Sequence, residues 1–451
     1  MKKRWILPIF LCAPLWLCAP LPAQDPLSLK DAVRLAFEKN QSIAASAASQ
    51  QGAASKITEA RNGFLPKLNY SESWARSDNP TFVFSSLLTQ HQFTDQNFQI
   101  GPLNRPDFLN NFSSRITADQ SLYDAGKTKR AVRSSELARD MAGEDGRRVR
   151  MEVIAEVVRS YCDALLMVEQ LGVSVQAIRS AEADLTRAEA HRTAGMTTDV
   201  DVLSIRVHLA GVREQQIQRA AHLDVARAAL NDVLGLPLDA PHRLTTPLAP
   251  VALSEDSPAR YESNGVTDRP EAREVKLATR LAENQAADAR GNFRPEIGFH
   301  AAFEADRQRF YDRGGANWLA SVELRWNLFN GFADKARIDE SQSALRRAEA
   351  DEKRAGSSIR LQVLRAWADL RAAQQRIEVA QAAVTESEES LRITQNRYEA
   401  GISTVTDLLR TETAVLEART RRLAAVHDQR IAATMLEMAA GTLGVDSEVL
   451  N

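Results

Sequence analysis

Cysteine is nearly missing from this chain: it has three in 451 residues, and Cys12 and Cys18 fall within the first two dozen, leaving Cys162. One remaining thiol excludes an internal disulfide framework. Glycine (20), proline (16) and aromatic residues (6%) are also sparse, which leaves a chain rich in Ala, Leu, Glu, Arg and Gln. That composition favours helix. Charge of one sign is lacking too, with 57 basic against 59 acidic residues and a net charge of -2. The balance excludes a nucleic-acid binder that works by neutralising phosphates. Past the first 25 residues there is no long apolar run and mean hydropathy is -0.33, which argues against a helical membrane protein. The length is about three times the ~150 residues of a typical domain, so the chain forms several compact units or one very elongated one.

Catalytic constellations are missing as well. There is no His-Glu-x-x-His, Gly-x-Ser-x-Gly, phosphate loop or Cys-x-x-Cys, and the histidines at 91, 191, 208, 222, 242, 300 and 427 have no ligand spacing. A lone helical histidine is ordinarily a surface or seam residue. The expectation is a protein without enzymatic activity, cofactor or metal. An exported hydrolase on a helical scaffold would need a nucleophile or metal set that the sequence does not supply.

What is present begins at the N-terminus. Lys2, Lys3 and Arg4 precede an uncharged stretch from Trp5 to Gln24 that Pro8, Pro14, Pro20 and Pro22 interrupt. Those prolines make a poor membrane helix, and Ala23 closes a signal-peptide cleavage site, so residues 1–23 are expected to be a secretory signal. Lipidation of Cys18 is disfavoured by the bulky Trp16 and Leu17 before it. Cys162 lies in a helical apolar stripe as a small hydrophobe.

The chain then repeats itself. Leu122-Tyr123-Asp124-Ala125-Gly126-Lys127 returns as Leu328-Phe329-Asn330-Gly331-Phe332-Ala333, and Ala194-Gly195 with Thr198, Asp201 and Leu203 returns as Ala400-Gly401 with Thr404, Asp407 and Leu409, all at an offset of 206. Phe64-Leu65-Pro66 pairs with Phe293-Arg294-Pro295 at an offset of 229, so the first half has 23 extra residues before Leu122. The repeats are expected at 24–235 and 268–451, joined by a Pro-rich linker over 236–267.

Each repeat has two segments of period 2. Trp318, Ala320, Val322, Leu324, Trp326 and Leu328 alternate with polar residues that only Leu319 breaks, and Ile297, Phe299, Ala301 and Phe303 alternate with Glu296, His300 and Glu304. Leu68, Tyr70 and Trp74, and Phe112, Ile116, Ala118 and Leu122, do the same in the first half. Strands are expected at about 66–76, 112–123, 295–304 and 317–329. A half-buried soluble sandwich fits any one of them. Strands of about 10 to 12 residues in an exported chain instead fit a tilted barrel wall with lipid on one side. Four strands cannot close a barrel, and open edges are not tolerated in lipid, so the chain must oligomerise; three copies give twelve strands.

The remainder reads as helix. Ile154, Tyr161, Val168 and Val175 recur every seven residues, as do Val363, Leu370, Ile377, Val384, Leu391 and Tyr398. Long helices over 127–194 and 335–399 would each extend about 100 Å. Shorter helices at 28–62, 198–234, 269–290 and 404–443 sum in pairs to nearly the same length, so each pair is expected to stack end to end beside a long partner.

In this order of parts the sequence resembles the TolC-like outer-membrane efflux proteins. The residues carrying the resemblance are Leu27-Ser28-Leu29-Lys30-Asp31-Ala32-Val33, both Phe-x-Pro strand entries, Leu122-Tyr123-Asp124-Ala125-Gly126, the two Ala-Gly tips and Leu234-Gly235-Leu236-Pro237. The resemblance implies a mixed α and β fold: a trimeric twelve-stranded transmembrane β-barrel in the outer membrane of a Gram-negative bacterium, continuous with a helical coiled-coil barrel through the periplasm. It implies a passive export conduit of a tripartite efflux or type I secretion system. Its tip would dock a periplasmic adaptor coupled to an inner-membrane pump of RND, ABC or MFS type, with outer-membrane lipid around the barrel and no nucleic acid.

At the tips, Gly195 and Gly401 can take the left-handed conformation that ends a helix, and Thr198-x-x-Asp201 and Thr404-x-x-Asp407 fit capping boxes. Capping alone is one account of these aspartates. The resemblance adds another, an acidic ring at a pore mouth, with Asp407 at the family's first gate aspartate, Tyr398 at its gate tyrosine and Asp201 as the first-half counterpart. Arg410 stands where close relatives of the type member have a second aspartate, and Ser403 where they have an arginine that ties the gate shut. Gly195, Met196, Thr197, Thr198, Gly401, Ile402 and Thr404 are the expected adaptor-docking positions. A coiled-coil scaffold or adaptor without a pore is the alternative.

Overall fold

The computed structural model describes residues 25–252 and 257–451, so the expected signal peptide, with its cleavage point at Ala23 and Cys18, lies outside the described residues. In chain order the elements are β1 (Asp25–Leu27), α1 (Leu29–Lys39), α2 (Gln41–Ala60), β2 (Lys67–Ser77), α3 (Pro80–Thr89), α4 (Ile100–Asn104), β3 (Leu109–Tyr123), α5 (Lys127–Thr193) and α6 (Asp199–Val233). They continue with β4 (His242–Leu244), α7 (Pro258–Asp268), α8 (Pro270–Gly291), β5 (Glu296–Arg307), β6 (Gly315–Arg325), α9 (Ala333–Glu399) and α10 (Val405–Ala440).

Four strands form one antiparallel sheet in the order β2-β3-β5-β6, with β2 and β6 at its edges. The register brings Tyr70 opposite Ile116, Ile116 opposite Phe303 and Phe303 opposite Trp318, so the apolar sets of all four strands share one face. That face is uncovered in the chain: Leu68, Trp74, Trp318 and Val322 are all exposed. The other face is polar and internally paired, with Arg115 Nη2 2.8 Å from Glu304 and His300 Nδ1 2.7 Å from Asp119. The division is not strict, and Arg76, Ser114 and Arg307 share the face of Trp74, Ile116 and Phe303. Glu72 falls on the apolar face, where the hydroxyls of Tyr70 and Ser114 and the Arg307 guanidinium all bond to it, so the charge is compensated rather than bare.

The 23 extra residues of the first half are not a plain loop. Between β2 and β3 the chain forms α3 and α4, and Phe84, Phe93 and Phe98 pack edge to face with centroids 4.9 to 6.4 Å apart. The buried Gln90, following α3, bonds Asn110 and Asn111 of β3, and Asn317 of β6 donates to Thr89 O at 3.0 Å.

The two long helices, α5 and α9, have 67 residues each, or about 100 Å at 1.5 Å per residue. Shorter helices accompany them, and their ends abut. Asn40 Nδ2 donates 2.8 Å to Val233 O, and a Cβ on Gly235 would lie 2.6 Å from Lys39 O, so the end of α6 meets the joint between α1 and α2. Gly441, ending α10, meets Arg269, between α7 and α8, as closely.

Two expected boundaries need correction. The helix expected over 28–62 breaks at Asn40, whose extended ψ of 126° ends α1 while its side chain caps Ser42 N of α2. The linker expected over 236–267 holds β4 and most of α7, because Pro258 sits in the first turn of α7, where a proline's missing N–H costs nothing. In addition, β6 ends at Arg325, earlier than the 329 expected.

The main core lies at the middle of the long helices. Leu29, Ala32, Val33 and Ala36 of α1 pack against Ile154, Val157, Val158 and Tyr161 of α5, with Leu436 of α10. The connection after α6 is strapped over this core. Tyr161 Oη donates to Leu27 O at 2.8 Å and accepts from Thr245 N and Thr246 N at 3.1 Å, while the buried Arg430 donates to Pro247 O, Val449 O and Asn451 O.

Candidate functional site at the helical tip

Two helical hairpins, α5–α6 and α9–α10, end side by side at the pole opposite the sheet. Each turn is built the same way from its sequence. Gly195 (φ 75°) and Gly401 (φ 72°) take the left-handed conformation that lets Met196 N reach His191 O and Ile402 N reach Arg397 O, both at 2.8 Å. The next helix is then capped reciprocally. Thr198 Oγ1 accepts from Asp201 N at 3.3 Å while Asp201 Oδ2 accepts from Thr198 N at 3.1 Å, and Thr404 with Asp407 repeats the pattern at 3.2 Å in both directions.

The same aspartates accept further hydroxyls: Thr197 on Asp201 at 2.8 Å and Ser403 on Asp407 at 3.3 Å. The Thr197 hydroxyl, above all, holds the Asp201 carboxyl below its ordinary range, and the Thr404 hydroxyl does so for Asp407, with Arg410 adding a smaller attraction. Both aspartates are therefore charged at neutral pH, and Asp407 is open to solvent. Tyr398 is different. Its hydroxyl is buried without an aligned partner, and burial raises its pKa.

The expected tip residues are therefore gathered on two adjacent turns. Met196 and Ile402 project into solvent, 71% and 68% exposed. Beneath the turns Ala188, Val202, Ile205 and Val405 form a small buried cluster with Leu185, Tyr398 and Leu409 against it. Two features escaped the sequence. Val200, Leu203 and Val207 make an exposed apolar stripe on α6, at a spacing that the helical period could have revealed. The second is a set of charged groups, buried at Asp184 and Glu412 and part-exposed at Arg187 and Glu399, one step further from the turns. Arg187 Nη1 and Nη2 bridge Glu399 of α9 at 2.7 Å and Asp184 of α5 at 2.6 Å, and Glu412 of α10 lies beside His208 of α6 at 3.4 Å. Among the described residues no cluster of His, Cys, Asp and Glu could hold a metal ion, and no helix is long and apolar enough to cross a membrane.

An uncovered apolar sheet at one pole and two capped helical turns at the other, about a helix length apart, agree with what known proteins add. The family model described as outer membrane efflux protein matches residues 32–236 and 266–442. Protein CyaE of Bordetella pertussis is 28% identical over 342 residues, 75% of this chain and 72% of that protein. The alkaline protease secretion protein AprF of Pseudomonas aeruginosa is 22% identical over 85% of this chain and 78% of its own. The crystal structure of the outer membrane protein VceC from Vibrio cholerae shares the fold, with a TM-score of 0.75 at 16% identity over 92% of this chain and 96% of that one. With both halves matched from the first helix to the last, the chain belongs to the outer membrane efflux protein family and serves in the outer membrane as an export channel.

Proposed function

We propose that three copies join their four-stranded sheets into one twelve-stranded barrel, continuous with a tube made from their helices, and that the pore opens at the helical tip. The observation that supports this best is the sheet itself. It has free edges at β2 and β6 and an apolar face bearing exposed Leu68, Trp74, Trp318 and Val322. Such edges and such a face are stable together only in lipid with the ring closed. The matching tips and the two 67-residue helices support a duplicated architecture, with repeats at 24–235 and 268–451 and the joint between them at mid-height.

The conduit is passive, and a periplasmic adaptor coupled to an inner-membrane pump, of RND, ABC or MFS type, drives it. Asp407, with Tyr398 and Asp201, borders the closed pore; three exposed carboxylates about one axis attract cations and repel anions. Ser403 and Arg410 modify that ring. Gly195, Met196, Thr197, Thr198, Gly401, Ile402 and Thr404 form the docking surface, in which small residues leave grooves between helices and Met196 and Ile402 supply apolar contact. Capping and gating are compatible roles for the same aspartates.

The test is site-specific photo-cross-linking in cells from positions 195–199 and 401–405. Capture of one periplasmic adaptor from both turns is expected. A chain that stays membrane-bound after removal of Pro295–Leu328, and captures no adaptor, would instead be a coiled-coil scaffold.

A further inference from the structure

About ten residues above the two turns, helices of both hairpins meet around buried carboxyl groups. Asp184 of α5 is 3% exposed and Glu412 of α10 is 8% exposed. One oxygen of each has a partner: Arg187 Nη2 donates to Asp184 Oδ1 at 2.6 Å, and Ser180 Oγ to Glu412 Oε1 at 3.2 Å. The other two, Asp184 Oδ2 and Glu412 Oε2, are buried and have no other donor. Ser180 lies one turn before Asp184 on α5, so its bond to Glu412 sets that carboxyl against the same stretch of α5 as Asp184, each with an orphaned buried oxygen. Two carboxylates are both acceptors, so they can bond each other only when one of them keeps its proton.

The surrounding charges leave that proton where it is. From α5 Arg187 faces the pair, but Glu399 of α9 shares its guanidinium at 2.7 Å. From α6 comes His208, whose Nε2 is 3.4 Å from Glu412 Oε2; burial lowers its pKa and so favours the uncharged ring, which does not offset a second carboxylate. From α10 itself Arg419 lines the same small cavity, and its charge is taken by Glu388 of α9 at 2.6 Å. Tyr398 of α9 adds a buried hydroxyl, whose burial raises its pKa and keeps it uncharged.

We propose that Asp184 and Glu412 hold one proton between them and thereby latch hairpin α5–α6 to hairpin α9–α10, so that losing this proton loosens the tip. The latch deepens the channel reading above and rests on it. Burial, and then the neighbouring Asp184, raise the Glu412 carboxyl to about 8 while the hairpins are packed. When the hairpins part, Glu412 meets water and returns toward its ordinary value of 4.5. Between those two values the packed state binds more protons than the parted one. Packing is therefore strongest below the lower value and weakens as pH rises toward the upper one.

Single-channel conductance of the purified protein in planar bilayers tests this. Open-state occupancy of the unmodified channel should rise on the order of tenfold or more between about pH 5.5 and about pH 8.5. Glu412→Gln keeps the shape and gives a permanent donor to Asp184, so it should stay closed and lose that rise; Asp184→Asn should do likewise. His427, bound to Asp163 at 2.7 Å near the main core, has its pKa raised by that carboxylate, and whatever share it takes in a pH response persists in both variants. A wild-type pH response retained in both variants overturns the latch, as does equal occupancy at both ends of the range. A protein that forms no pores at any pH overturns the channel reading instead.

Discussion

At the scale of single residues, burial decides what chemistry a side chain offers. Cys162 is the one thiol in the described residues, fully buried on α5 against α1, and burial pushes its pKa up to about 11. A thiol that is both inaccessible and protonated is a packing group. In the folded protein at about pH 8 a thiol reagent should label less than about a tenth of Cys162, and labelling should become complete in denaturant. Rapid labelling of the native channel would mean that the mid-height core opens readily. The sequence already put Cys162 in an apolar stripe. It gave no such hint for Asp184, His208 and Glu412, which lie on three helices and converge only through packing, so His208 reads in isolation as an ordinary surface or seam histidine.

At the scale of elements, what was legible depended on whether the cause was local. The alternation around Trp318, Ala320 and Val322 is a property of consecutive residues, and it marks the face of β6 directly. The capping boxes at Thr198 and Thr404 span four residues and were equally plain. In contrast, α3 and α4, ten and five residues long, are too short to show a helical period, and the end of α3 is held by Gln90 bonding β3 and by Asn317 of β6 donating to Thr89 O. Glu72 escaped notice because its compensation by Arg307 is a pairing 235 residues away.

The two faces of β6 permit a paired prediction. Val322 lies on the apolar face and Ser321 on the polar one, facing Phe299 and His300 respectively across the strand pair. An arginine at Val322 would meet hydrocarbon and should weaken insertion by about 2–4 kcal/mol per chain, whereas Ser321→Arg should assemble normally and change the ion preference of the pore. Recovery of a cross-linked oligomer from outer membranes, with bilayer conductance of whatever assembles, would separate the two. Equal tolerance of both arginines would mean that neither face meets lipid.

At the scale of the whole molecule, the chain is long rather than thick, and its stability is unevenly placed. The mid-height core gathers α1, α5, α10 and the strap from the α6–α7 connection around Tyr161 and Arg430, with 23 buried apolar residues. The tip, over 185–205 and 400–412, has five, Ala188, Val202, Ile205, Val405 and Leu408, and otherwise depends on caps and on the charged groups around Arg187. Each buried large apolar side chain contributes roughly 1.5–3 kcal/mol, so the tip can part while the middle stays closed. A channel that opens at one end requires that inequality, since an opening of comparable cost at mid-height would breach the wall instead. Native-state hydrogen exchange should therefore divide the same two helices. Amides of α5 over 151–166 and of α10 over 431–440 should exchange at least about a hundredfold more slowly than those over 185–205 and 400–412. The tip amides should exchange faster still as pH rises, beyond the intrinsic base catalysis, once the proton between Asp184 and Glu412 is lost. Uniform protection along the 67 residues of α5 would show that the hairpins do not open locally, and would require the whole tube to move as one body for the pore to open.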